Sequence, residues 1–339
     1  MGKAIGNHQA DKYAFVKGVG ITLLIAIIAK YVAQLPFLSI MGQLVIAIII
    51  GMVWKATIGV RENLQAGVTF SNKKLLRFGI ILLGMRLNLA DIYNAGIGVF
   101  LIAAICLVVT LFIVYGLTKW FGVGKRLGIL TACGTAICGA AAVVAIAPQV
   151  KAKDDETAVG AATVAVLGTI FTLIYTVLYT ALHLSPAGYG VFTGATLHEV
   201  AHVVAAATAG GNDAVDLAVI VKLTRVALLV PVAIIIGYLF QRGSGQTESR
   251  LSMSIIPWFI IGFIAMSGFN TLGIVSEEVA GVIVNIAYLL IAMAMAGLGL
   301  NVDIKTFRKL GMKSFAAGII GSVILAVLGY TLVVLFSIN

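Results

Sequence analysis

Apolar residues in this chain follow neither the alternation of a half-buried strand nor the one-sided stripe of a surface helix. They run on for roughly 17 to 25 residues at a time, the length that carries a helix across a ~30 Å hydrocarbon core. Cuts at the turn signals Gln34-Leu35-Pro36, Pro148, Ser185-Pro186 and Gly210-Gly211-Asn212-Asp213 separate neighbouring runs. The pattern predicts eleven membrane-spanning helices, at residues 15–33, 38–54, 75–92, 95–118, 128–147, 157–182, 189–208, 217–240, 255–272, 279–299 and 314–337. The expected fold class is therefore an all-α polytopic membrane protein of about 11 transmembrane helices. Nothing is left over between 1 and 339 for a soluble domain.

Composition strengthens this reading, because 61% of the 339 residues are hydrophobic and only 11% are charged. No water-soluble fold hides that much apolar surface. The net charge of +10 would suggest nucleic acid in a soluble protein, but here the basic residues sit in short loops and no nucleic-acid partner is expected. With the amino terminus in the cytoplasm, Lys55, Arg61, Lys73, Lys74, Lys119, Lys125, Arg126, Arg242, Arg250, Lys305, Arg308, Lys309 and Lys313 all fall inside. Outside loops hold little beyond Lys151 and Lys153, offset by Asp154, Asp155 and Glu156, in agreement with the positive-inside rule. The first apolar run is a full span with no small-residue cleavage pattern behind it, so it does not read as a signal peptide. Cys106, Cys133 and Cys138 lie within apolar runs in no CxxC spacing and read as small packing residues, and no cofactor is expected.

Two internal echoes change the picture from a bundle to a repeated architecture. GMRLNL at Gly84 to Leu89 recurs as GLGLNV at Gly297 to Val302, and in the eleven-span topology the two copies run in opposite directions, which marks an inverted repeat. GTAICGAAAVVAIA at Gly134 to Ala147 is echoed by GATLHEVAHVVAAA at Gly194 to Ala207. Both copies of the second echo put Gly, Thr and polar residues mid-span, where an unbroken helix has no need of them. A break there frees backbone N–H and C=O groups that need partners, which makes it a natural ion site. The simpler reading is that Gly134, Gly139 and Gly194 only let helices pack closely.

Arg86, His198, Glu199, His202, Lys222 and Arg225 fall within the expected spans, where an ionisable group costs several kcal/mol unless paired or hydrated. Arg225 lies about 13 Å beyond Asp216 at ~1.5 Å per residue, near the midplane, with Lys222 one turn back on the same face. Three fixed cations face one carboxylate, so a cavity they line is electropositive and an anion is its natural guest. The structural alternative has Lys222 snorkelling outward and Arg225 tying Glu199 or helix carbonyls. HEVAH at His198 to His202 also matches the HExxH of zinc peptidases. A third ligand is hard to find, since His183 is in a loop and Asp91 and Asp303 are at helix ends, so no metal site is assigned.

LLRFGIILLGMRLNLADI, GTAICGAAAVVAIAP, TGATLHEVAHVVAA, VKLTRVALLVP and GLGLNVDI together resemble the YeiH-type family of sulfate exporters, over nearly the whole chain. GMRLNL and GLGLNV alone also resemble a wider group that includes cation/proton antiporters and bile-acid/sodium symporters. The resemblance implies a secondary transporter of the bacterial inner membrane, elevator-type, with inverted repeats, broken crossing helices and a moving core against a scaffold. Residues 1–339 then form one transporter domain, with core helices at about 75–240 and 279–337 as repeat partner. The substrate implied is sulfate or a related sulfonate, with the lipid bilayer and a homodimer as further expected partners.

The expected substrate-binding residues are Arg225, Lys222, Arg86, Gly134, Thr135, Gly194, Thr196, Asn88 and Asn301. Glu199 with His198 is the expected proton-coupling pair, because a carboxylate out of water can exchange a proton in a working pH range. The rivals are a sodium or proton antiporter with Glu199 as the cation carrier, an intramembrane zinc protease, and a channel or receptor. No nucleotide-binding loop is present in the sequence, so ATP drive would need a partner subunit.

Overall fold

The computed structural model describes residues 2–35, 43–242, 258–301, 304–336 and 338. All regular structure among them is helical. Among the described residues, six helices are long and apolar enough to cross a membrane: α1 (Gly2–Val32), whose apolar part is Tyr13–Val32, α6 (Ile97–Trp120), α9 (Asp154–Leu182), α12 (Asn212–Arg242), α14 (Glu277–Asn301) and α15 (Ile304–Leu335). The remaining expected spans are shorter or divided. Residues 38–54 correspond to α2 (Gln43–Thr57) and residues 255–272 to α13 (Trp258–Thr271), with 36–42 and 243–257 outside the described residues.

The span expected at 75–92 begins earlier and is segmented. It comprises α3 (Gln65–Phe70), a π-helical turn at Ser71–Leu75, α4 (Leu76–Leu83), a 3-10 turn at Gly84–Arg86, and α5 (Leu89–Asn94). The π turn is anchored by Ser71, whose hydroxyl lies 2.7 Å from Thr22 Oγ1 and 3.3 Å from Gly67 O. The spans expected at 128–147 and 189–208 are each broken in two. The first gives α7 (Lys125–Ala136) and α8 (Ala140–Ile146), and the second gives α10 (Pro186–Thr196) and α11 (Val200–Ala207).

The distribution of side chains is inverted relative to a soluble protein. Phe112, Val177, Val327 and Leu335 are 63–77% exposed, while Arg225 and Lys222 are fully buried. Long helices whose outward faces are Leu, Ile, Val and Phe suit hydrocarbon and not water, and the cations turn inward. Most helical threonines satisfy their own hydroxyls by donating to the carbonyl four residues back, as Thr131, Thr157, Thr172 and Thr196 do at 2.7–2.9 Å.

The chain divides into two compact units. One takes Met1–Arg86 with Ile261–Arg308, and the other Leu87–Ile260 with Lys309–Asn339. In the first, α14 packs on α1, α2 and α4. In the second, α12 packs along α10 and α11, and α9 along α7, α8 and α11. The core expected at 75–240 is thus shared between units, since 75–86 belongs to the first and 87–240 to the second.

Candidate functional site

Both broken helices belong to the second unit, and their breaks are short. Helix α7 ends at Ala136, Ile137 leaves helical geometry at φ −113° and ψ −86°, and Gly139 takes φ +69° before α8 begins. Helix α10 ends at Thr196, and Leu197 and Glu199 are extended, with ψ near 160°, before α11 begins. Each break leaves the final carbonyls of one short helix and the first N–H groups of another without intrahelical partners. In an apolar interior these groups need partners from elsewhere.

Helix α12 supplies them for the carbonyl ends. Arg225 donates from Nε to Ala136 O at 3.1 Å and from one terminal nitrogen to Thr135 O at 3.1 Å and Ala136 O at 2.6 Å. Its other terminal nitrogen donates to Gly194 O at 3.3 Å and Leu197 O at 2.9 Å. A guanidinium has five N–H groups, and all five are engaged with main-chain carbonyls. Lys222, one turn away, donates from Nζ to Ile137 O at 2.6 Å and Leu197 O at 2.7 Å. Helix α7 closes its other terminal carbonyls internally, Cys133 O accepting from Ile137 N and Gly134 O from Gly139 N, each at 2.9 Å. Two cations thus hold the carbonyl ends of α7 and α10 together, where each helix end carries about half a negative charge. Lys222 does not snorkel, and a direct anion contact by Arg225 would require one of these bonds to break.

One N–H end, that of α8, meets a carboxylate. Glu199, partly buried in the second break, accepts from Ala140 N at the start of α8 at 3.3 Å. Gly139 makes this approach feasible, since a Cβ there would lie 2.5 Å from Glu199 Cγ and the backbone is left-handed. The Arg225–Glu199 pair considered from the sequence is therefore replaced by a division of labour, cations at the carbonyl ends and the carboxylate at an amide end.

The same break takes HEVAH apart. A zinc-binding HExxH needs both imidazoles on one face of an unbroken helix, but α11 starts only at Val200. His198 Nε2 lies 3.2 Å from Ser322 Oγ on α15, whereas His202 turns to α9, its ring over Gly168 and Nε2 3.5 Å from Thr169 Oγ1. Both histidines are buried, and among the described residues no three His, Cys, Asp or Glu side chains converge as a metal ion would need.

A family model described as conserved hypothetical protein 698 matches residues 17–318. The chain belongs to this family. A UPF0324 membrane protein of Bacillus cereus is 71% identical over 327 residues, covering 96% of this chain and 93% of the relative. Another, of Oceanobacillus iheyensis, is 55% identical over 330 residues, covering 96% and 97%. One from Lactobacillus johnsonii is 39% identical over 317 residues, covering 90% and 92%. No solved structure matches the chain. The description of these relatives as membrane proteins agrees with the six membrane-length helices.

In this family member the second unit gathers eight of the expected site residues. Gly134, Thr135, Gly194, Thr196, His198, Glu199, Lys222 and Arg225 lie at the two breaks or on the α12 face beside them. Gly194 lets α10 lie against α12, because a Cβ there would meet Ala218 O. Thr196 donates to Phe192 O at 2.7 Å, while Thr135 Oγ1 is buried with no hydrogen-bond partner. Asn88 has a local task, its side chain accepting from Ala90 N at 2.9 Å at the start of α5. Arg86 and Asn301 belong to the first unit. Arg86 donates to Tyr288 OH at 2.8 Å, and Asn301 ends α14, accepting from Gln65 Nε2 at 2.6 Å and, at its carbonyl, from Lys55 Nζ at 2.5 Å. Sequence reasoning missed Ser322, Thr169 and Tyr288. Each is a polar side chain within an apolar helix, the signal that singled out the charged residues but a weaker one.

Proposed function

We propose that this membrane protein is a secondary transporter of a small anion, working by alternating access, with its site where the two broken helices meet. The observation that supports this is the pair of fully buried cations, Lys222 and Arg225, set against the single carboxylate of Glu199 at paired helix breaks. Two opposed helix breaks are a device for holding a small ion by main-chain groups at mid-membrane. The excess positive charge favours an anion. The resemblance of the sequence motifs to sulfate exporters points to sulfate or a sulfonate as cargo and to the bacterial inner membrane as its place. In this reading the shorter and divided segments complete eleven crossings with the amino terminus inside, as an elevator-type inverted repeat. Glu199 with His198 carries a coupling proton, and the protein is a carrier and not an enzyme.

A second reading, a sodium or proton antiporter, draws on one feature. The Glu199 carboxylate receives a single main-chain hydrogen bond, at 3.3 Å, which leaves oxygen lone pairs open to a cation. A ligand-stabilisation screen of the purified protein separates the two. Melting temperature raised by oxyanions or sulfonates supports the anion carrier, and a rise with sodium or lithium alone supports the antiporter.

A further inference from the structure

The crossing in the second unit can be summed as a closed set of charges. Its carbonyl ends, α7 and α10, carry about one negative charge between them, and its amide ends, α8 and α11, about one positive charge, so the helix ends cancel. Lys222 and Arg225 then exceed Glu199 by one positive charge. Titratable groups at the crossing besides Glu199 are Cys138 in the first break, His198 and His202 on the Glu199 segment, and Lys222 and Arg225 on α12 against the carbonyl ends. Helix α9 offers Thr169 and Thr172 toward His202 and sets Tyr175 against Phe171 and Phe192, α15 offers Ser322, and α8 offers only main chain.

The donors left over are also few. Arg225 has none, its five N–H groups being engaged. Lys222 donates two of its three N–H groups to carbonyls, which leaves one. Thr135 Oγ1, in the last turn of α7, and His198 Nδ1, in the second break, are fully buried without partners. A buried donor without an acceptor is costly, and an oxyanion offers acceptors of the kind that the Lys222 ammonium and the Thr135 hydroxyl lack.

We infer, on the basis of the anion-carrier reading, that the crossing accepts one net negative charge. A monovalent oxyanion binds it alone, and a divalent oxyanion binds together with one proton, carried by Glu199. Lys222 and Thr135 hold the anion, and Arg225 is a positioning residue that fixes the two helix ends. A divalent anion beside an ionised Glu199 would leave a buried net negative charge, which an apolar interior disfavours by several kcal/mol. Protonation of the carboxylate removes it.

The test is calorimetric titration of the purified full chain with sulfate and with methanesulfonate at neutral pH, in buffers of different ionisation heat, which counts protons taken up per anion bound. The expected result is one proton per sulfate and none per methanesulfonate. For sulfate bound by Glu199→Gln the count should fall to zero, and for His198→Gln it should stay at one. Equal counts for the two anions in the wild-type chain overturn the inference and leave the anion carrier standing. A count lost in His198→Gln and kept in Glu199→Gln overturns the assignment to Glu199. Binding of neither anion overturns the anion carrier and this inference with it.

Discussion

Replacing Arg225 by glutamine should destabilise the protein itself, beyond any effect on a ligand. The guanidinium makes five hydrogen bonds to four carbonyls, and Leu197 O keeps Lys222 as a second donor when Arg225 is removed. Thr135 O, Ala136 O and Gly194 O are then orphaned in a fully buried site. Hydrogen bonds inside membrane proteins average about 0.6 kcal/mol, and a buried orphan acceptor costs about 1–3 kcal/mol. Three of them amount to about 2–9 kcal/mol, a large share of a typical stability of ~5–15 kcal/mol. At about 2 °C per kcal/mol, the Tm in detergent should fall by at least ~4 °C. Arg225→Lys should fall in between, because three donors on one point cannot reach both helix ends as a planar fork does. The double variant Arg225→Gln/Glu199→Gln should be no more stable than Arg225→Gln, since the carbonyls and not Glu199 hold the guanidinium. Recovery of wild-type Tm in that double variant would refute the reasoning, as would an Arg225→Gln Tm indistinguishable from wild type.

Other consequences follow from the same geometry. Gly139→Ala combines a left-handed backbone, costing about 1–2 kcal/mol, with a clash against Glu199 Cγ, so Tm and transport should both fall, and wild-type values for both would contradict the placement of Glu199. Thr135→Val removes a hydroxyl with no partner, so Tm should hold within ~1 °C while sulfate affinity drops up to roughly tenfold, the worth of one hydrogen bond; a large loss of Tm with unchanged affinity would assign Thr135 to the scaffold. Purified protein should carry no stoichiometric zinc, and His202→Gln should keep fold and transport better than Glu199→Gln; one zinc per chain lost in His202→Gln would revive the peptidase. Single cysteines at Asn94, Asp213 and Glu277 should be labelled from the periplasm and one at Gly245 from the cytoplasm, and labelling of Asp213 and Gly245 from one side would sink the eleven-crossing topology.

The long helices were legible because the length of an apolar run is itself the physical requirement for crossing a bilayer, and α6, α9 and α14 each begin within about three residues of their expected starts. The breaks at 137–139 and 197–199 were foreshadowed by Gly-Thr and Gly-Ala-Thr in otherwise Ala/Val-rich runs. That Arg225 ties helix carbonyls was one of the sequence alternatives, but which carbonyls it holds, and that Lys222 shares them, was not legible, because a main-chain carbonyl carries no mark in the sequence and becomes a free acceptor only where a helix stops. The same gap hid the fate of HEVAH, whose i and i+4 spacing has meaning only along a continuous helix. Arg86 joined the expected site as a cation within a span, and Asn88 and Asn301 lie in the GMRLNL and GLGLNV echo, which reports symmetry and says nothing of partners. In the structure their polar atoms serve a tyrosine hydroxyl and two helix ends.

The most direct test of the account is flux through the purified protein in sealed proteoliposomes, preloaded with sulfate or methanesulfonate and challenged with the labelled anion under an imposed pH gradient with no sodium. The account predicts saturable exchange of the anion that needs no sodium and is lost in Lys222→Met. Proton flux that proceeds with no anion present, or sodium flux once sodium is added, while neither anion crosses under any imposed gradient, would contradict it.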